Sequence, residues 1–287
     1  LKAKLLTKTI LYALLAVFMI WTVGPYLWTI ISSISLPIEL TAKPPHWIPR
    51  QPTLENYKKL LQLVGEYRVA TATRSSLRQN LLYSFFISCV TTALCILFGS
   101  LSAYSFSRHP FRGSSFLFFL IFGSQLLPFI VLAIPLYITL ARLRLLDKLG
   151  TLIFLYISFT LPFVIWLMKN YFEMIPKDIE DAAMIDGCTP IRALVRVVLP
   201  VCAPGLVATG IFSFLGAWNE FFLALIFMSR TQTITLSVAT LVFGWTHRSD
   251  LPLVATGAVI ASLPPVLLAL LFQKFIIRGL MQGAVKG

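Results

Sequence analysis

The residues able to do chemistry fall in two short stretches. The first is Lys177-Asp-Ile-Glu-Asp-Ala-Ala-Met-Ile-Asp186, followed by Gly187 and, further on, by Arg192 and Arg196. It is dense in charge between long uncharged runs. Asp178, Glu180 and Asp181 fall early in a predicted helix, where acids favour the positive end of the dipole. Ile179, Ala182 and Ala183 share one face of that helix, which is small and apolar. Such a surface suits close approach by another protein's backbone, not bond-making. The second stretch is Trp218-Asn219-Glu220. A polyhydroxyl solute presents O–H groups on its rim and C–H groups on its faces; Asn and Glu suit the first, an indole ring the second.

No other pattern points to catalysis. His46, His109 and His247 are far apart, and Cys89, Cys95, Cys188 and Cys202 form no C-x-x-C pair, so they read as buried structural thiols. No G-x-x-x-x-G-K-[ST] loop is present, so the chain does not bind ATP in that way itself.

The elements that position these residues follow from composition. Charged residues make up 12% of the chain and hydrophobic ones 57%, against about 25% charged in a soluble domain. Mean hydropathy is +0.84. These values define an all-α integral membrane protein. Uncharged runs predict six spans at about 10–33, 80–106, 114–140, 150–168, 201–228 and 252–273, each near the ~20 apolar residues a membrane helix needs. All belong to one transmembrane domain covering 1–287. The polar run 231–247 reads as an external loop or a re-entrant segment. Pro128 and Pro135 predict kinks in the third span, and Pro162 a break in the fourth. Ser124 and Gln125, just before Pro128, form a second polar patch.

The loop 170–200 reads as two short helices. Pro176 is placed at the first helical position and Gly187 at the left-handed stop. Thr189 caps the second helix, Pro190 opens it, and Leu199-Pro200 ends it. The formal charge of +13 is spread through loops between spans, which points to lipid headgroups and not nucleic acid. Lys2, Lys4 and Lys8 favour a cytoplasmic N-terminus, and an even number of spans returns the C-terminus to the same side. The twelve basic residues assigned outside equal the twelve assigned inside, so charge alone does not fix the orientation.

Asp181-Ala182-Ala183, Gly187, Val197 and Leu199-Pro200 resemble the EAA loop of ABC importer permeases: Glu-Ala-Ala, three residues, Gly, nine residues, Ile, one residue, Leu-Pro. Asp181 stands for Glu and Val197 for Ile, and every gap agrees. Pro52-Thr-Leu-Glu-Asn-Tyr57, Ala217-Trp-Asn-Glu-Phe-Phe222 and the tail Gln273–Gly287 are similar to segments of carbohydrate permeases, such as the smaller permease of maltose- and trehalose-type transporters. The resemblance implies a type I ABC importer permease: six transmembrane helices with a cytoplasmic coupling-helix loop, in a bacterial or archaeal cytoplasmic (inner) membrane, multi-pass, with both termini cytoplasmic.

It further implies that Glu180, Asp181, Ala182, Ala183, Met184, Ile185, Asp186, Gly187, Leu199 and Pro200 couple to an ATPase, with Glu180 able to substitute for the shortened Asp181. The implied partners are a second related permease, two ATP-binding cassette subunits and an extracytoplasmic solute-binding protein. No cofactor is expected in this chain; ATP and Mg are bound by the partner ATPase subunits. Uptake of a sugar or sugar-like solute, a disaccharide or a glucosylated osmolyte, is then expected by ATP-driven alternating access.

For Trp218, Asn219 and Glu220 two readings stand, a polar lining of the solute path or a helix-packing cluster. An ion-coupled secondary carrier or channel for a small polar solute is the alternative function. It needs inverted repeats or buried carboxylates, and Glu220 is the only acid placed inside a span.

Overall fold

The computed structural model describes residues 2–43, 46–62, 76–228, 234–246 and 250–284, and among them every regular element is helical. Helix α1 (Lys2–Ser33) is apolar on all sides, and the most apolar stretch of it has no buried residue. A single turn at Pro37–Leu40 leads to α2 (Glu55–Gln62). This segment is tied down by polar contacts. Asn56 donates to the carbonyls of Ser33 and Ser35 at 2.9 and 3.0 Å, and the Tyr57 and Ser33 hydroxyls lie 2.7 Å apart.

Helix α3 (Leu77–Arg108) opens with a capping box between Ser76 and Gln79. It packs along α6 (Leu149–Glu173) and against α9 (Ala203–Asn219), and these three helices form the centre of the molecule. Their contact is close because Gly99 faces Val164; a Cβ on Gly99 would lie 2.4 Å from Val164 Cγ1. Cys95, Val164, Met168 and Phe172 fill one end of this core, and Leu152, Tyr156, Leu223 and Phe227 the other.

Two predicted spans are broken. The third is α4 (Ser114–Gly123) with a 3₁₀ turn at Ser124–Leu126, then α5 (Phe129–Arg142), and the two halves meet at 94°. Pro128 forces Leu127 out of the helical region (φ −76°, ψ 117°), which makes a corner where the sequence predicted only kinks. The fifth begins in the coupling loop. Helices α7 (Lys177–Ile185) and α8 (Pro190–Ala193) lead into a five-residue π-helical stretch at Leu194–Val198 and a turn at Leu199–Val201. Leu199-Pro200 therefore does not end the second short helix. The chain turns by 84° two residues later, at Cys202, before entering α9. At the far end α9 stops at Asn219, Glu220 is extended, and α10 (Phe222–Phe227) follows.

Elsewhere helices run on where breaks or loops were expected. Pro162 sits buried inside a continuous α6: it removes one backbone hydrogen bond, while Val164, Ile165 and Met168 beside it pack into the core. The segment expected as a loop or re-entrant stretch contains α11 (Leu236–Thr246), which packs on α3 and on α12 (Leu251–Ala284). Residues 231–233 and 247 of that stretch lie outside the described residues. Among the described residues, four single helices are long and apolar enough to cross a membrane, and the number is six if each bent pair is one span. Cys89 is exposed, unlike the buried thiols Cys95 and Cys202.

Candidate coupling element and solute path

The candidate coupling segment begins at Pro176, which is extended and precedes the helix, so α7 starts at Lys177, one residue later than predicted. Its end is a Schellman motif. Gly187 has φ +86°, its N–H donates to the Met184 carbonyl, and the Cys188 N–H donates to the Ala183 carbonyl, each at 3.0 Å. Thr189 Oγ1 then accepts from the Arg192 N–H at 3.4 Å, and Pro190 follows at the first position of α8, as the sequence predicted.

The two faces of α7 differ from the expected assignment. Asp178, Ile179, Asp181, Ala182, Ile185 and Asp186 are exposed, and Ile185 is the extreme at 85%. Met184 also reaches the surface. Ala183 is instead buried, on the same inward side as Glu180. A charge introduced at Ala183 would therefore meet this chain's own core, not a partner's groove. Leu199 is half-buried and Pro200 exposed, on the turn that precedes the 84° bend.

Glu180 cannot stand in for Asp181 at the surface. Its Oε2 pairs with Arg108 Nε at 2.9 Å, its Oε1 accepts from the Tyr104 hydroxyl, and Arg108 Nη2 donates to the Ile175 carbonyl at 2.9 Å. The pair's side chains are 5% and 4% exposed. The sequence held a signal for this: Tyr104 and Arg108 are four residues apart at the end of an uncharged run, on one face of α3.

A cleft opens between α9, α11 and α12. One lobe of about 530 Å³ is lined by Trp218, Asn219, Leu236, Ser237, Thr240 and Ala261. A second, of about 470 Å³, adds Tyr26, Gly257, Ser262 and Pro265, and shares Asn219, Thr240 and Ala261 with the first. Trp218 Nε1 donates to the Ala261 carbonyl at 3.1 Å and its ring stacks on Phe214, so the indole is fixed but buried and does not offer a face to a solute; the Ser237 hydroxyl donates to the Trp218 carbonyl at 2.9 Å. Asn219 is exposed to the cleft.

Glu220 is directed elsewhere. Its carboxylate accepts from the Leu223 N–H at 2.7 Å and the Ala224 N–H at 3.2 Å, which caps α10. An acid inside a span is costly, and here the break in the helix supplies the donors that satisfy it. Ser124 and Gln125 also stand apart from the cleft. Ser124 Oγ donates to the Ile121 carbonyl and Gln125 Nε2 to the Phe159 carbonyl, each at 2.6 Å, which fixes the corner of the third span onto α6. Ser237 and Thr240 were missed because their segment read as a loop.

The long apolar helices and the two bent pairs among the described residues are those of a multi-pass membrane protein. Residues 95–282 match the model of the binding-protein-dependent transport system inner membrane component, and the chain belongs to that family. It is 35% identical over 263 residues to the sulfoquinovosyl glycerol transport system permease of Agrobacterium fabrum, covering 92% of this chain and 88% of that one. It is 32% identical to the trehalose/maltose transport system permease of Thermococcus litoralis over 99% of this chain and 96% of the relative. With the trehalose transport system permease of Mycobacterium tuberculosis it shares 35% identity over 92% of each.

The same fold occurs in a bacterial ABC transporter involved in import of the acidic polysaccharide alginate. The TM-score is 0.77 at 20% identity, over 96% of this chain and 98% of that one. A second match, at TM-score 0.66, is the alginate transporter in complex with a periplasmic protein bound to alginate pentasaccharide. The expected family and all-helical membrane fold are therefore correct.

Proposed function

We propose that this chain is one of two permease subunits in an importer for a sugar or sugar-like solute, driven by ATP hydrolysis in two partner ATPase subunits. The observation that carries the reading is the outward face of α7: Ile185, the most exposed large side chain of the segment, is flanked by Asp181, Ala182 and Asp186. An apolar knob with an acidic border fits an apolar groove with a basic rim. ATP and Mg belong to the partners. Both termini then lie on the cytoplasmic side with α7, and a solute-binding protein delivers solute to the opposite side. One coupling helix serves one ATPase subunit, so a second, related permease completes the assembly; a functional homodimer of this chain alone would refute that stoichiometry.

Ile185→Asp tests the docking face. The variant should insert and fold normally, because the side chain is exposed, yet lose most of the copurifying ATPase, since a charge buried without a partner costs several kcal/mol. Wild-type ATPase stoichiometry in Ile185→Asp would remove α7 as the docking element. Uptake into proteoliposomes with ATP present or absent separates the importer from an ion-coupled carrier, which would transport without nucleotide.

The sugar class is supported by the trehalose, maltose and sulfoquinovosyl glycerol relatives and by the cleft, where Asn219, Ser237 and Thr240 supply polar groups. Each hydrogen bond to a solute hydroxyl contributes about 0.5–1.5 kcal/mol. Asn219→Ala and Thr240→Val should each weaken uptake of trehalose or maltose roughly two- to ten-fold. Hydrolysis stimulated by loaded binding protein should persist. Unchanged uptake in both variants would place the solute path elsewhere.

A further inference from the structure

Three separate parts of the cytoplasmic region converge on the side chains of Arg108 and Glu180. Arg108 is the last residue of α3. Its Nε holds Glu180, on the inward face of α7, and its Nη2 holds the carbonyl of Ile175, in the turn that joins α6 to α7. The other oxygen of Glu180 accepts from Tyr104, one turn earlier on α3, and that hydroxyl lies 3.3 Å from the Pro190 carbonyl at the start of α8. Tyr104 is itself held edge-on against Phe172 of α6, at 6.2 Å between ring centroids.

The pair is almost wholly buried, and a buried pair broken on one side leaves an uncompensated charge. It is also the residue-level link between α7 and a helix to which α7 is not joined in sequence. The covalent links of the coupling segment run to α6 on one side and, through the π-helical stretch and the bend at Cys202, to α9 on the other. The second route contains two irregularities, while the route to α3 is a two-point guanidinium fork.

We propose that Arg108 and Glu180 are positioning residues that clamp the coupling helix to the base of α3 and α6. A displacement imposed on α7 would then move the α3–α6 pair as one body, while the π-helical stretch and the bend absorb the change toward α9. This rests on the docking role given to α7 above. Neither residue touches solute or ATPase. Arg is required and not merely a positive charge, because a lysine ammonium lacks the planar fork that serves Glu180 and Ile175 together.

The test uses the assembled importer with its own ATPase subunits. The four native cysteines are replaced by alanine, and nitroxide labels are placed at Lys177→Cys, the first residue of α7 and outside the docking face named above, and Arg112→Cys, just past α3; both sites are exposed. Distances are measured without nucleotide and after trapping with ATP and vanadate. With Arg108 and Glu180 intact, the distance should be the same in both states. In Arg108→Gln and Glu180→Gln, complexes that retain the normal amount of ATPase should show a distance that shifts or broadens on trapping.

In those variants, hydrolysis stimulated by loaded binding protein should fall roughly two- to thirty-fold, the range of coupling mutations. Arg108→Lys should fall between them and the parent. A purely structural pair would instead lower the yield while the surviving complexes kept the parental distance and stimulation, which overturns the proposal. A distance that changes on trapping in the parent itself also overturns it. Absence of the ATPase from the parental complex would instead overturn the docking role, and the clamp with it. If the single variants do not assemble, Arg108→Gln combined with Glu180→Gln leaves no lone buried charge, and the same two outcomes apply to it.

Discussion

Gly187→Val should leave the permease in the membrane but disconnected from its ATPase. The glycine has φ +86°, and a Cβ added there meets no atom within 4 Å. The penalty is therefore conformational and not a clash. A non-glycine residue held in this region costs about 1–3 kcal/mol, with β-branched residues at the upper end. The cheapest escape is to abandon positive φ, which breaks the bonds from the Gly187 and Cys188 N–H groups and swings α7 away from α8. Glu180 and Ile185 then leave their faces together. We expect ATPase retention or stimulated hydrolysis to drop roughly five- to one-hundred-fold, in line with that penalty. Gly187→Asn should be far milder, because asparagine tolerates the left-handed region. The check is ATPase stoichiometry and stimulated hydrolysis in purified complexes; parental values in Gly187→Val would mean that the turn does not set the coupling geometry.

Gly205→Ala should damage folding, not coupling. Gly205 lies in the first turn of α9, just beyond the 84° bend, and an added Cβ would sit 2.5–2.7 Å from three ring carbons of Tyr171 on α6. That ring is buried among Phe172, Leu194 and Val198 and has no room to retreat. Overpacking of this kind costs about 1–3 kcal/mol, so the detergent-solubilised protein should melt earlier and elute as a broader, partly aggregated peak. Gly216→Ala is the control, since its Cβ would meet nothing within 4 Å. Equal melting temperatures for the two variants would show that α9 can pull back from α6 at little cost. Gly99→Ala should be comparably damaging, because its Cβ would lie 2.4 Å from Cγ1 and 3.2 Å from Cβ of Val164, a fully buried side chain stiff at χ1.

The long apolar helices and the turn at Gly187 were legible in the sequence because each depends on local chemistry. Uncharged runs delimit spans, and the pattern of Gly187, Thr189 and Pro190 specifies a left-handed stop followed by a capped start. The breaks were less legible. Pro128 gives a corner while Pro162, Pro264 and Pro265 stay within continuous helices, and the difference lies in neighbouring helices that supply packing, not in the prolines. The faces of α7 were misread for the same reason. Helical spacing places Ile179, Ala182 and Ala183 together, but only the position of Arg108 decides that Glu180 and Ala183 turn inward. Glu220 was legible as a costly acid within a span, and illegible as a cap, because the extended backbone that brings the Leu223 and Ala224 N–H groups to it has no sequence signature.

The isolation of α1 bears on how the protein is made. Within this chain its main partner is α12, and the Thr256 hydroxyl donates to the Ser33 carbonyl at 3.2 Å. Helix α1 therefore pairs with a helix that leaves the ribosome long after it. At ~5–20 residues per second the chain between them takes on the order of ten to forty seconds to synthesise. Throughout that interval α1 is held by lipid or by the insertion machinery, an unpaired apolar rod that a sister subunit or a membrane protease can reach before its own chain does.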